Sequence, residues 1–288
     1  DWSSDVCSSD LIVNKKEIQI KEYWNIKDKI IRPNNYKDFQ TSKNELKQII
    51  EEAVKYRLIA DVPLGTFLSG GIDSSLITAI ASKYSNQKLK TFSIGFKESE
   101  YNESAYAKDV ANYLKTEHYE YIVSENTILE YIDIIDDIYD EPFPDSSSFP
   151  TIIISKLAKQ EVTTILSGEG GDELFYGYGS YVWAKRFENK LLKAFAPCLS
   201  GLFNILNNRY QRVGKLLDYS NEANLNQHIF SQEQYYFSIP EINKLLTNEH
   251  QQALSNFIDN QIIETNLCLL EKQSLFEIQN YLPNDLLV

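Results

Sequence analysis

The 288 residues include no methionine and only three cysteines and three histidines. Cys7, Cys198 and Cys268 are odd in number, far apart and outside any CxxC or His-rich setting. Neither a disulfide framework nor a zinc site is expected, and reduced thiols in a cytoplasmic protein are. With Asp1 in first place and no initiator, the chain is expected to be a fragment of a longer protein. Its opening, DWSSDVCSSDL, lacks a positive n-region and an apolar h-region, so it is not expected to be a secretory signal. That stretch resembles the conceptual translation of a sequencing adapter, so residues 1–11 are expected to stand outside the fold. Basic residues are the minority, 28 Lys and Arg against 41 Asp and Glu, for a net charge of -13 and a pI near 4.8. Such a surface repels a polyphosphate backbone and disfavours nucleic acid as a partner. Long apolar runs are missing too. The best candidate, Ala194 to Leu206, is interrupted by Pro197, Ser200 and Asn204 and falls short of the roughly 18 residues of a membrane span, so no membrane partner is expected.

What is present is a globular composition, 43% hydrophobic and 24% charged. Residues 12–41 are polar and lysine-rich without long periodicity and read as a linker or interdomain arm. Ser42 and Glu45 form a capping-box pair ahead of Leu46, Ile49, Ile50, Ala53 and Val54, which predicts a helix to about Ala60. Strands are predicted over Leu64–Leu68, Thr91–Ile94, His118–Val123 and Val162–Leu166. Helices are predicted over Ser74–Tyr84, Glu103–Leu114, Asn126–Tyr139 and Thr151–Lys159. Strands alternating with helices predict an α/β fold, a parallel sheet with helices on both faces. From Tyr181 onward the pattern is helical, and residues 42–288 read as one domain. Ligands of such folds sit beyond the carboxyl ends of the strands, so the loops after Leu68, Ile94 and Leu166 should share a crevice.

Two of those loops carry chemistry. Ser69-Gly70-Gly71-Ile72-Asp73-Ser74-Ser75 lies between a strand and a helix. Its glycines let backbone approach a ligand, and the N–H groups and dipole of the helix start favour an anion. It has neither the lysine of GxxxxGK[ST] nor the spacing of GxGxxG, which removes the best evidence for a Walker NTPase or a dinucleotide site. Asp73 would repel phosphate unless a divalent cation bridged the two. The second run, Ser167-Gly168-Glu169-Gly170-Gly171-Asp172-Glu173, again follows a buried strand. If both runs face one crevice, Asp73 and Asp172 can hold Mg²⁺ against phosphate oxygens, leaving Glu169 as a base or positioning group.

These runs occur in order with DVPLG, TFSIGF, DEPFPDSS and a final YLPNDLL, and together they resemble the synthetase domain of glutamine-hydrolysing asparagine synthetase. The resemblance covers roughly Tyr23 to Val288. It implies a pyrophosphatase-type (PP-loop) adenine-nucleotide alpha-hydrolase-like fold, in which ATP is attacked at its α-phosphorus. By similarity, Ser69 to Ser75 cradle the pyrophosphate, Leu68 and Ile94 line the adenosine pocket, and Ser167 and Gly168 contact the nucleotide through backbone. Asp73 and Asp172 are then the magnesium ligands, and Glu169 serves formation of the acyl-adenylate. The implied reaction converts aspartate to asparagine through β-aspartyl-AMP, with ATP and Mg²⁺ as cofactors.

The implied partners are an aspartate-like small molecule and ammonia delivered by an N-terminal glutaminase domain expected to be missing here, with a homodimer left open as the assembly. The family also continues past YLPNDLL into a basic KxDR segment. Relatives sharing SGGxDS, such as GMP, NAD and tRNA-lysidine synthetases, lack the SGEGGDE partner run. Amidation of another carboxylate, such as a sugar acid, and a non-catalytic nucleotide-binding module are the alternative readings. His118, His228 and His250 read as satisfied structural histidines, and Tyr176, Tyr178 and Tyr181 as packing residues. Glu141, Asp145 and Ser146 to Ser148 read either as a plain loop between prolines or, with the resemblance, as part of the substrate crevice.

Overall fold

Short apolar runs rich in Thr, Phe, Ile and Tyr become a four-stranded sheet in which every pairing is parallel. The computed structural model describes residues 9–13, 17–22, 24–26, 38–97, 103–132, 134–139, 145, 147–203, 208–218, 225–234, 237, 242, 244–248, 250–251 and 267–287. The chain divides into two compact units, one of residues 1–169 with Val288 and the other of residues 170–287.

In the first unit, β1 (Ser9–Val13) and β2 (Ile18–Glu22) pair as an antiparallel ribbon in which Val13 faces Ile18. Residues 12–41 suggested no element. The ribbon escapes notice because Ile12, Val13 and Ile18 are exposed, so no buried face imposes a readable alternation. The sheet consists of β3 (Leu64–Phe67), β4 (Lys90–Phe96), β5 (Glu117–Val123) and β6 (Thr164–Leu166) in the order β5-β4-β3-β6. One face is covered by α1 (Phe39–Arg57) and α2 (Ile72–Tyr84). There Val54, Ile80, Ala81 and Leu89 are buried with Ile77, Tyr84, Leu64 and Leu166 packed against them. α3 (Ser104–Leu114) adds Ala107 and Ala111 against Leu68. The opposite face is covered by α6 (Ser148–Ala158), whose Ile154, Leu157 and Ala158 meet Phe67, Phe92 and Ile165. Burying a side chain of Phe92's size contributes about 1.5–3 kcal/mol. Helices therefore lie on both faces, as the alternating pattern predicts.

Ser9 to Leu11, expected to stand outside the fold, belong to β1, and two helices also differ from the sequence reading. α1 starts at Phe39, capped by Asp38, whose carboxylate accepts the Thr41 N–H at 3.0 Å and its hydroxyl at 2.5 Å. A carboxylate taking both donors is a stronger cap than Ser42, which lies a turn inside the helix. The helix predicted over Asn126–Tyr139 is two, α4 (Glu125–Ile132) and α5 (Ile135–Ile138), tightened at the junction by an Ile134 N–H to Tyr131 C=O bond of 3.3 Å.

The second unit contains no strand among its described residues. It comprises α7 (Gly171–Phe175), α8 (Gly179–Phe187), α9 (Lys190–Phe203), α10 (Asn208–Asp218), α11 (Leu225–Glu233) and α12 (Leu269–Phe276). α12 continues into a π-helical segment, Glu277–Leu286, that carries the YLPNDLL run to Leu286. Ala184, Phe187, Ala196, Leu216, Leu217, Leu225 and Ile229 form the core of this unit. No helix among the described residues is long and apolar enough to cross a membrane.

Candidate functional site

The strand order locates the site before any side chain is considered. From β3 the chain steps outward through β4 to β5, then returns to the other side of β3 as β6. Strand order reverses between β3 and β6, and the loops leaving such a pair diverge and leave a crevice at the carboxyl edge. Thr66 is paired with Leu166, so the chain after Phe67 and the chain after Leu166 leave the sheet side by side.

Leu68 is buried and extends the ladder by one bond, its N–H donating to the Phe92 C=O at 2.9 Å. The loop that follows is shaped by its own serines. The Ser69 and Ser74 hydroxyls are 2.9 Å apart, the Ser69 N–H donates to Ser74 Oγ at 3.2 Å, and the Gly71 N–H donates to Ser69 Oγ at 3.2 Å. Gly70 has φ +89°, and a Cβ on it would lie 2.6 Å from the Ala107 nitrogen, so conformation and space both require glycine. Gly71 is the N-cap of α2 and supplies no side-chain cap, which leaves the start of a 13-residue helix available to an acceptor. Asp73 sits in its first turn, half-buried. The Ser75 Oγ is buried without a hydrogen-bond partner. Below the loop, Thr66 and Thr78, both fully buried, join β3 to α2 through hydroxyls 3.0 Å apart.

The second run reaches this loop through Gly168. A Cβ on Gly168 would lie 2.7 Å from the Ser74 nitrogen, 3.0 Å from the Asp73 carbonyl carbon and 3.1 Å from the Asp73 Cβ. Backbone thus packs on backbone, and Ser167 and Gly168 are brought onto the first turn of α2. Glu169 is exposed at the end of the first unit. Ile94 lies in β4, paired with Tyr121. Asp172 belongs to the second unit, in α7.

Phosphate fits this arrangement, since Gly71 leaves a helix start without a side-chain cap. Mg²⁺ needs less from the protein. It keeps waters and takes one or two carboxylates together with substrate phosphates, so a donor set of isolated acids suits it better than a closed cage. Among the described residues, no three His, Cys, Asp or Glu side chains gather into a metal cluster.

The family model of asparagine synthase matches residues 45–288. The chain belongs to that family. It is 42% identical over 180 residues to the Methanocaldococcus jannaschii protein named putative asparagine synthetase 2, glutamine-hydrolyzing, covering 61% of this chain and 33% of that one. To the glutamine-hydrolyzing asparagine synthetase 1 of Bacillus subtilis it is 38% identical over 176 residues, covering 60% of this chain and 27% of that one. The chain thus spans a third or less of the length of these relatives. Among solved structures it matches an NH3-dependent NAD synthetase from Campylobacter jejuni at 14% identity and a TM-score of 0.33, covering 78% of this chain and 95% of that one. That likeness is too slight to carry an argument.

Several residues of this asparagine synthase domain escape sequence reasoning. Glu173 is fully buried. Its Oε1 accepts the Tyr178 hydroxyl at 2.7 Å, and its carbonyl accepts the Tyr181 hydroxyl at 3.2 Å and the Ser274 hydroxyl at 2.7 Å. Burial and the bond to Glu173 push the Tyr178 phenol upward. Glu277, also fully buried, accepts from Ser180 at 2.7 Å and from Gln273 at 2.9 Å, and burial pushes its carboxyl upward. Gly170 takes φ +89° with Leu282 of the YLPNDLL run beside it, so that motif packs on the acidic run within the second unit. The YGYG spacing was the available signal for a tight turn after α7. Of the DEPFPDSSS stretch, residues 140–144 and 146 lie outside the described residues. His118 is satisfied as expected, with Nδ1 2.9 Å from Thr91 Oγ1 and Nε2 3.2 Å from Ser93 Oγ.

Proposed function

We propose that this chain activates the side-chain carboxylate of aspartate with ATP and transfers it to ammonia, making asparagine, AMP and pyrophosphate. The observation that carries the reading is the seating of Gly168 on Asp73 and Ser74, which brings the start of the second run onto the first loop at the point where strand order reverses. Membership of the asparagine synthase family supports it.

A carboxylate cannot lose oxide to ammonia, whereas an acyl phosphate loses AMP readily. In the proposed first step a substrate carboxylate oxygen attacks the α-phosphorus of ATP, and the bond to the bridging oxygen of pyrophosphate breaks. Ser69, Gly70, Gly71, Ser74 and Ser75 hold the departing phosphates at the start of α2, where the helix dipole favours the growing charge. Leu68 and Ile94 flank the adenosine, and the Ser167 and Gly168 backbone holds the α-phosphate. Asp73 and Asp172 are the residues that would hold Mg²⁺, which would supply positive charge against the phosphates. In the second step ammonia attacks the acyl carbon, a proton leaves to Glu169 or solvent, and AMP departs with the bonding pair. The proposal takes the ammonia from a glutaminase domain, in keeping with relatives named glutamine-hydrolyzing, and assigns the reaction to the cytoplasm.

Isotope exchange tests the reading. Labelled pyrophosphate should enter ATP only when aspartate is present, and ammonium should then yield asparagine with AMP in equal amount. ATP binding without aspartate-dependent exchange would leave a non-catalytic module, exchange with another carboxylate would change the substrate, and release of ADP with phosphate would refute adenylation.

A further inference from the structure

We propose that Gly177 is a positioning residue for Asp172, acting through the side chain it lacks; the inference rests on the reading of Asp172 as a magnesium ligand. α7 is little more than one turn long, and Tyr176 ends it in the left-handed region at φ 63°. The chain then doubles back, so that the N–H groups of both Tyr176 and Gly177 donate to the Asp172 carbonyl, the latter at 2.9 Å. This return carries Gly177 onto the Asp172 side chain. A Cβ on Gly177 would lie 1.8 Å from Oδ1, 2.6 Å from Cγ and 3.0 Å from Cβ of Asp172. Its three nearest neighbours all belong to that one side chain.

Gly177 is not at positive φ, so its backbone accepts alanine without the strain that Gly70 or Gly170 would incur. What alanine displaces is the carboxylate. The backbone of the turn has little freedom to give way, because the adjoining Glu173 is buried and its carbonyl is held by both Tyr181 and Ser274. Relief must come from rotation of Asp172 about its own side-chain bonds. Gly177 therefore selects the direction of the Asp172 carboxylate, and a methyl group there redirects it without altering charge.

The test compares the parent with Gly177→Ala, Asp172→Asn and the double variant. ATP affinity is titrated with and without Mg²⁺, and thermal melting is followed without nucleotide. Gly177→Ala should lose about tenfold of the Mg²⁺-dependent gain in ATP affinity, the range seen when a residue that orients a metal ligand is changed. Affinity for Mg²⁺-free ATP and the melting temperature should stay near the parent's. The double variant should match Asp172→Asn, since the carboxylate is the only route of the effect. If Asp172→Asn loses the Mg²⁺-dependent gain and Gly177→Ala keeps it, the positioning role is overturned while the metal reading stands. If Gly177→Ala loses it and Asp172→Asn does not, Gly177 acts by another route and the proposal is again overturned. If both keep it, the metal reading fails and takes the proposal with it.

Discussion

Glu169 and Gly168 adjoin in sequence and are exposed to opposite demands. Gly168 must be small because the Ser74 nitrogen and the Asp73 carbonyl carbon press on it, and neither can swing aside as a side chain could. Gly168→Ala should push the second run off the first turn of α2 and lower turnover on the order of 10²-fold, since displacements near 1 Å at a reacting centre have such effects. Turnover within about threefold of the parent would mean that the close approach is incidental. Glu169 is exposed and has a charge to offer rather than a space to fill. Glu169→Gln should leave ATP binding nearly unchanged and reduce asparagine formation on the order of 10²–10³-fold. Aspartate-dependent pyrophosphate exchange then separates the two half-reactions. Exchange that falls with turnover assigns Glu169 to adenylation, and exchange that survives assigns it to ammonia. Both activities within threefold of the parent would remove it from catalysis.

At the scale of elements, β4 and β5 carry a titrating group into the sheet. His118 stands between the Thr91 and Ser93 hydroxyls, and burial holds its imidazole below the ordinary histidine value, with the charge of Glu120 opposing. The unfolded chain therefore takes up this proton at higher pH than the folded one. The stability so contributed is complete above an ordinary pKa of about 6.5 and is lost as pH falls toward the folded value. Urea unfolding of the parent and of His118→Gln should show a stability difference that shrinks between pH 7.5 and pH 5.5. A difference that does not change would clear His118 of the acid sensitivity. Element boundaries also mark where the sequence was readable. β3, β4 and β6 were legible as short apolar runs and β5 by its alternation, although most of it is exposed, and the two glycine-rich runs because each follows a strand and opens a helix. The Asp38 cap and the β1–β2 ribbon were not legible, since an exposed cap has near-equivalents a few residues away and an exposed ribbon has no core face to pattern it. Gly177 was not legible for a different reason. Its role is set by the left-handed turn at Tyr176, and no spacing rule announces which side chain a returning chain will meet.

For the whole molecule, ligand binding and stability are linked. MgATP at about 100 times its dissociation constant should raise the unfolding free energy by about 2.7 kcal/mol, visible as a higher melting temperature. The rise should be larger with Mg²⁺ than without it, and Asp73→Asn and Asp172→Asn should each reduce the Mg²⁺-dependent part. An equal rise with and without Mg²⁺ in all three proteins would remove both acids from metal binding. The two-unit division carries a lesson for anyone recombining relatives of this chain. The boundary falls inside the seven-residue run SGEGGDE, between Glu169 and Gly170. A chimera joined at the geometric boundary would take Gly168 from one parent and Asp172 with its Gly177 from another, mixing two inheritances within a single run. Crossovers placed before β6 pass the run on intact, so the heritable module begins a strand earlier than the compact one.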